Sequence, residues 1–387
     1  MADYSLISCD DHLDLNQLPA DLWTERLPAA DKARAPHIEE RDGRSLWICE
    51  GESWGHWSGK GGGFKGPKPI FTAFDRGGIQ DQSERRPAVA ELRLKDMDRD
   101  GVQTHVIFGP VTSIKTQDAA FGEELHRVYN EWLKDFCSAA PNRLLGVPML
   151  PPNPEAAIKE LWRLAKRGGV KQANLQIAMA EPKLHDERWE PLWNALEETG
   201  IILSWHVTVF FPPEGDPSRG KLAGNITHMK SFITQFLDSF VDLFAWGVLE
   251  RHPKMKVVIA ESGAGWLPWV VEELDYRHWR LWEAEEFWAD KGGIPLKTKP
   301  SELFKRQIYS TFQQSPVTMR LLEFYGDNLL WASDYPHPDS IWPNSRRVIQ
   351  ETMGHLPPET IKKLTHDNAA KLYGLDTQDA ASRIAAE

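Results

Sequence analysis

Ser5-Leu6-Ile7-Ser8-Cys9-Asp10-Asp11-His12 begins as an apolar run and ends in two carboxylates and an imidazole. Its composition is that of a buried strand. Side chains alternate along a strand, so Asp10 and His12 point to one side and Asp11 to the other. A carboxylate and an imidazole aimed together are two arms of a metal site. The weight of that reading depends on whether other strands end in the same way.

Working outward, short β-branched runs alternate with longer stretches of helical period. The strands are expected at 6–12, 104–109, 144–150, 171–177, 201–207, 257–263, 307–312 and 329–335, eight in all. Amphipathic segments follow at 88–100, 122–139, 154–167, 189–199, 225–250, 267–288, 316–325 and 345–353. Gly101, Gly168, Gly200 and Gly326 punctuate helix ends shortly before strands. Repeated β-then-α units with nearly all-apolar strands imply an α/β fold with a parallel sheet covered on both faces. A (β/α)8 TIM-type barrel is the simplest such arrangement, in one domain over 1–375, and it places active-site groups at the C-terminal strand ends. An open doubly wound sheet is the alternative. No G-x-G-x-x-G fingerprint follows the first strand, so neither NAD nor flavin is expected.

The departure from an ideal barrel is 37–86, an insertion after strand one that is rich in Gly and Trp. It is expected either as a lid over the barrel mouth or as a decorative loop. The tail 376–387 is expected to be flexible.

With 387 residues, 41% of them hydrophobic, the chain can bury a large core. Lys+Arg 45 against Asp+Glu 56 gives a net charge of −11 without a basic stripe, which argues against a nucleic-acid partner. Three scattered cysteines, Cys9, Cys49 and Cys137, suggest a reducing compartment and no disulfide framework. With no apolar run of spanning length and no leader pattern, no membrane partner is expected, and the expected location is cytoplasmic. Seventeen Trp must either fill the core or line a pocket.

Other strands do end in polar groups. The fifth reads Leu203-Ser204-Trp205-His206-Val207, the sixth ends near Glu261, and the eighth ends Ser333-Asp334-Tyr335-Pro336-His337. Buried unpaired charges are costly, so Asp10, Glu261 and Asp334 each need a cation or a donor network. One divalent ion bound by Asp10, His12, His206 and Asp334 would satisfy three strands together. Singly, each residue has an ordinary explanation: a core histidine bonded to backbone, or a carboxylate capping the next helix. Jointly they favour a metal site.

At this point the chain resembles a family. The Asp-x-His after strand one, Ser204-Trp205-His206, the run Glu261-Ser262-Gly263-Ala264-Gly265-Trp266-Leu267-Pro268 and Ala332-Ser333-Asp334-Tyr335-Pro336-His337 are similar to the amidohydrolase superfamily. Within it, they resemble the branch that includes aminocarboxymuconate-semialdehyde decarboxylase and γ-resorcylate decarboxylase. Leu94-Lys95-Asp96-Met97-Asp98-Arg99-Asp100-Gly101-Val102 fits the same branch. The resemblance implies a distorted (β/α)8 barrel, a small-molecule substrate, a homodimer, and a single divalent metal held by Asp10, His12, His206 and Asp334.

Two positions depart from the family pattern. Members usually carry His or Glu where Asp10 stands; aspartate is shorter but remains an oxygen ligand. Decarboxylases of the branch commonly carry His in an H-x-G-E-like segment after strand six, where this chain has Glu261, with Ala264 at the Glu position. Binuclear relatives use a carbamylated lysine late in strand four. Here that strand ends Asn174-Leu175-Gln176-Ile177, which implies a mononuclear site. Two imidazoles, two carboxylates and no thiolate make zinc the first choice, with manganese, iron(II) or cobalt as alternatives.

Asp334 resembles the family's proton acceptor. Glu261 is expected to bond a metal-site water, act as acid/base, add a ligand, or cap the next helix. His337 either faces the pocket as a catalytic group or caps and packs; His228 is a further candidate. Trp54, Trp57 and Phe64 of the insertion, with Trp205 beside His206, suggest a flat or apolar substrate. Arg41, Arg44, Lys60 and Lys65 could meet a substrate anion. Three function classes follow. The favoured one is metal-dependent hydrolysis of an amide, ester, lactone or C–C bond. The alternative is non-oxidative decarboxylation of an aromatic or unsaturated acid, and the third is a barrel that binds without catalysis.

Overall fold

β1 (Leu6–His12) is buried along its whole length, as its apolar run demands. The computed structural model describes residues 4–57, 73–79, 85–112, 114–208, 217, 221, 231–282 and 296–375. Lys60, Phe64, Lys65, His228 and the tail 376–387 lie outside the described residues. Contacts group the chain into two compact units, Met1–Pro151 with Leu330–Glu387, and Pro152–Leu329.

In the first unit the insertion begins not as a loop but as an antiparallel sheet of β2 (His37–Arg41), β3 (Arg44–Cys49) and β4 (Glu52–His56). Two-residue turns connect them at Asp42-Gly43 and Glu50-Gly51, where all four residues have positive φ (52°, 70°, 51° and 83°). Such turns match the twist of the flanking strands. Trp47 and Trp54 pack edge-on against Trp23, with ring centroids 5.0 and 5.5 Å away.

β1 pairs in parallel with β5 (Val102–Phe108), and β5 with β6 (Leu144–Gly146). The helix Ala90–Asp100 feeds β5 through Gly101, whose left-handed φ of 73° closes the helix. The strand expected at 144–150 is split into β6 and β7 (Met149–Leu150). Pro148 has no N–H to give a ladder. Asn130, from the helix Ala119–Cys137, supplies the missing partners: its Nδ2–H donates to the Met149 carbonyl at 2.9 Å and its Oδ1 accepts from the Met149 N–H at 2.8 Å.

The second unit carries β8 (Gln172–Leu175), β9 (Ile202–His206), β10 (Val257–Ala260) and β11 (Ile308–Phe312), parallel and side by side in chain order. Helices Pro154–Arg167 and Glu190–Thr199 precede β8 and β9. The helix expected at 225–250 is, in its described part, broken into Ser231–Ala245 and Val248–Arg251 at Gly247, where φ is 68°. β12 (Leu329–Trp331) lies where the chain passes back into the first unit.

Two expected strands stop short. β10 ends at Ala260 and β12 at Trp331, so Glu261 and Asp334 stand beyond the strands and not on them. Both are non-glycine residues in the left-handed region, with φ of 51° and 60°. Cys9, Cys49 and Cys137 are buried and free. Among the described residues no helix is long and apolar enough to cross a membrane.

Candidate metal centre

In the first unit the segment after β12 is laced to β1 by backbone. The Asp334 N–H donates to the Asp10 carbonyl at 2.9 Å, and the His12 N–H to the Tyr335 carbonyl at 2.7 Å. This lacing brings the three candidate ligands of the unit together. His12 Nε2 lies 3.5 Å from Asp10 Oδ1 and 3.2 Å from Asp334 Oδ1. All three residues are at most 3% exposed.

His337 joins this cluster. Its Nδ1 is 2.9 Å from Asp334 Oδ1, and its Nε2 is 2.8 Å from Asp14 Oδ2. Ligand atoms of His12, Asp334 and His337 all lie within 4.8 Å of one another. Asp14 is itself anchored, accepting the Val111 N–H on Oδ1 at 3.0 Å. Sequence reasoning missed Asp14, although Asp10, His12 and Asp14 continue a single i, i+2 spacing.

The electrostatics follow from burial set against this carboxylate cluster. Burial pulls the His12 imidazole down, yet its bonds to Asp10 and Asp334 carry it up to about 10. For His337 burial is likewise outweighed, by Asp334 and Asp14, and the ring is held well above the ordinary histidine range. Burial would raise Asp334 and Asp14, but the His337 charge and the hydrogen bonds hold both below the usual carboxylate range. Two carboxylate oxygens converging on one imidazole nitrogen demand positive charge at that point, and a divalent cation meets the demand when the imidazole gives up its proton. Oxygen and imidazole donors without thiolate suit zinc or a harder divalent ion.

Asp11 turns to the opposite side, as alternation requires. Its Oδ1 accepts from Ser333 Oγ at 2.6 Å and from the Tyr335 N–H at 3.0 Å. Its Oδ2 is 3.7 Å from His105 Nδ1. Arg93, fully buried, donates to the His12 carbonyl at 2.8 Å and to His105 Nδ1 at 3.2 Å, and lies over the Tyr335 ring at 5.1 Å. The Tyr335 hydroxyl donates to Asp96 Oδ2 at 2.7 Å. Burial pushes Asp11 up to about 8, against the pull of Arg93 and the Ser333 bond. Burial also drives His105 well below the histidine range.

In the second unit His206 ends β9 and is 3% exposed. Its Nδ1 lies 2.9 Å from the Val207 carbonyl, so Nδ1 carries a proton and donates there, and Nε2 is the nitrogen left to meet other groups. Glu261 Oε2 is 3.3 Å from that Nε2. The Glu261 N–H donates to Thr311 Oγ1 at 3.0 Å, which ties the turn to β11.

Of the aromatic residues singled out from sequence, Trp54, Trp57 and Trp205 are described, and they hold structural positions. Trp54 is 5% exposed, and its indole N–H donates to the Lys115 carbonyl at 2.8 Å. Trp57 donates to the Leu18 carbonyl at 2.8 Å and packs against the same core as Trp54. Trp205 is fully buried in β9. Arg41 and Arg44 flank the Asp42-Gly43 turn and are exposed, Arg41 pairing with Glu39 at 2.9 Å.

A family profile described as Amidohydrolase matches residues 52–375. Curated protein sequences give no match. Among solved structures, the chain is similar to an amidohydrolase from Mycobacterium avium subsp. paratuberculosis K-10, with 18% identity, a TM-score of 0.72, and coverage of 97% of this chain and 99% of the other. It is similar to 5-carboxyvanillate decarboxylase from Sphingomonas paucimobilis, with 21% identity, a TM-score of 0.64 and coverage of 96% and 99%. A dihydroxybenzoic acid decarboxylase from Polaromonas sp. JS666, solved with bound manganese and the inhibitor 2-nitroresorcinol, gives 17% identity, a TM-score of 0.58 and coverage of 97% and 99%. At these identities the likeness is one of fold, and the fold class is the distorted (β/α)8 TIM-type barrel.

Proposed function

Because this chain belongs to the amidohydrolase family, we propose that it is a metal-dependent carboxy-lyase that decarboxylates a small aromatic or unsaturated acid without oxidation. Asp10, His12 and Asp334 of the first unit hold one divalent cation in this reading. Zinc is expected from the donor set, with manganese the alternative that the Polaromonas structure contains. A cation bound there supplies Lewis acidity toward substrate oxygens.

The observation that carries the proposal is the placement of His337. Both of its ring nitrogens lie beside carboxylates, Asp14 and Asp334, so the ring is fixed in orientation and kept protonated, and its Nδ1 proton is the one to give up once Asp334 turns to a cation. Decarboxylation needs a proton donor: the electron pair of the breaking C–C bond takes a proton and becomes a C–H bond as CO2 departs. The branch's usual histidine after strand six is missing here, and His337 takes over that duty. Asp14 orients His337, and Glu261 steadies the His206 imidazole.

Hydrolysis is the second reading. It is favoured by Glu261, a carboxylate 3.3 Å from His206 where the decarboxylases of the branch carry histidine. There Glu261 would take a proton from the attacking water.

Metal analysis of the purified chain comes first, followed by a panel of hydroxybenzoates and unsaturated acids in deuterated, ¹⁸O-labelled water. CO2 release with a solvent-derived hydrogen on the product carbon, and no ¹⁸O in the product skeleton, supports decarboxylation. Incorporation of ¹⁸O without CO2 returns the assignment to hydrolysis. Absence of stoichiometric metal, with no metal dependence of turnover, overturns both.

A further inference from the structure

Asp11 faces away from the metal cluster, yet it is the side chain that grips the segment carrying Asp334. One of its oxygens accepts from both neighbours of Asp334: from Ser333 Oγ at 2.6 Å and from the Tyr335 N–H at 3.0 Å. Ser8, two residues before Asp10 on the same strand, adds a third tie, accepting the Ser333 N–H at 2.8 Å. Asp334 itself holds a left-handed φ of 60°, a conformation that a non-glycine residue keeps only when its surroundings impose it. The Asp11 carboxylate is fully buried. On its other side lies His105, whose Nδ1 is 3.7 Å from Oδ2 and accepts from Arg93 at 3.2 Å.

We infer that Asp11 is a positioning residue: by bonding the residues on either side of Asp334, it sets the direction in which the Asp334 carboxylate presents to the metal cluster. The inference rests on the reading of Asp334 as a metal ligand. It assigns a task to the one residue of the Asp10-Asp11-His12 triplet that no ligand role absorbs. Groups that hold metal ligands in place typically change affinity or activity by about 10- to 100-fold when removed.

The test uses the full chain, stripped with a chelator and titrated with Zn²⁺ against a chromophoric competitor, with thermal unfolding of the metal-free protein as the folding control. Asp11→Ala removes the acceptor and is expected to weaken Zn²⁺ binding by about 10- to 100-fold. Asp11→Asn keeps an oxygen that can accept both bonds. It is expected to leave Zn²⁺ affinity within about threefold of wild type, a rescue that a purely structural role does not predict. Ser333→Ala removes one of the two bonds and is expected to fall between them; it decides the matter if Asp11→Ala does not fold. Unchanged affinity in a folded Asp11→Ala or in Ser333→Ala overturns the inference, as does Asp11→Asn binding as weakly as Asp11→Ala. A wild-type chain that binds no Zn²⁺ or Mn²⁺ instead overturns the metal reading itself.

Discussion

The imidazoles of His12 and His337 lie face to face, with ring centroids 3.9 Å apart and planes 18° from parallel. Two charged rings stacked this closely repel, and the surrounding carboxylates relieve that repulsion unequally. His337 is gripped at 2.8 and 2.9 Å by Asp14 and Asp334, whereas His12 meets Asp10 and Asp334 at 3.5 and 3.2 Å. A cation at His12 displaces the proton there and leaves the ring charge on His337 alone. In the proposed mechanism, ligand and acid are therefore adjacent rings with separate tasks.

From this division of labour, His337→Gln should keep the bound metal and lose turnover. Removing a positioned acid lowers rates by about 10²- to 10⁴-fold. The checks are kcat and metal stoichiometry measured on the same preparation. A variant that turns over within threefold of wild type would remove His337 from the mechanism.

Asp334→Asn preserves size and removes the carboxylate charge. Metal affinity should fall by tenfold or more, on the order of the loss known for disturbed metal sites, and activity should fall to background. Chelation of the wild type should mimic it and lower Tm by several degrees, because a ligand at 100 times its Kd contributes about 2.7 kcal/mol of stability. Re-addition of metal should restore the wild type and not the variant.

Asp100 offers a pH test away from the metal cluster. Burial raises its carboxyl from 3.8 to about 6, although Ser345 donates to it through N–H at 2.9 Å and Oγ at 2.5 Å. With the folded value above the unfolded one, the folded state binds this proton more tightly. The stability it confers is complete below pH 4 and is lost as pH rises through 6. The expected loss is about 3 kcal/mol. Urea unfolding of wild type and Asp100→Asn from pH 4 to 7 should show the wild type losing ground to the variant over that window; parallel curves would refute the assignment.

Asn130→Ala strips the Met149 N–H and carbonyl of their side-chain partner in a fully buried place. Each unsatisfied backbone group costs about 1–3 kcal/mol, so the urea midpoint should drop by the equivalent of about 2–4 kcal/mol. Activity per folded molecule should be retained. A drop under 1 kcal/mol would mean that water or a shift of the β6–β7 break replaces the amide.

The strand-and-helix alternation was legible because parallel strands buried on both faces are written as apolar runs, and glycine marks where helices stop. The Asp10-x-His12 pair was legible for the same reason: spacing along a strand fixes which side chains share a face. Asp14 could have been read by extending that spacing one step further. Asp42-Gly43 carried the hairpin signal, but a stretch so rich in glycine and tryptophan reads first as loop. The early ends of β10 and β12 were not legible, because Glu261 and Asp334 take a backbone conformation that sequence associates with glycine. Nor was the duty of Asp11, whose partner Ser333 lies 322 residues further along the chain. Trp54 shows the ambiguity of composition alone: an aromatic that could line a pocket instead bonds Lys115 and packs on Trp23.

Glu261 and Asp334 each occupy the first turn beyond a strand at a φ that glycine or asparagine accepts more readily. At these two positions chemistry and folding pull in opposite directions. A search for heat-resistant variants that selects on stability alone would drift toward Gly or Asn there, relaxing the backbone while erasing the carboxylates. Thermostabilisation of this enzyme therefore has to hold these two residues fixed and look elsewhere for its gains.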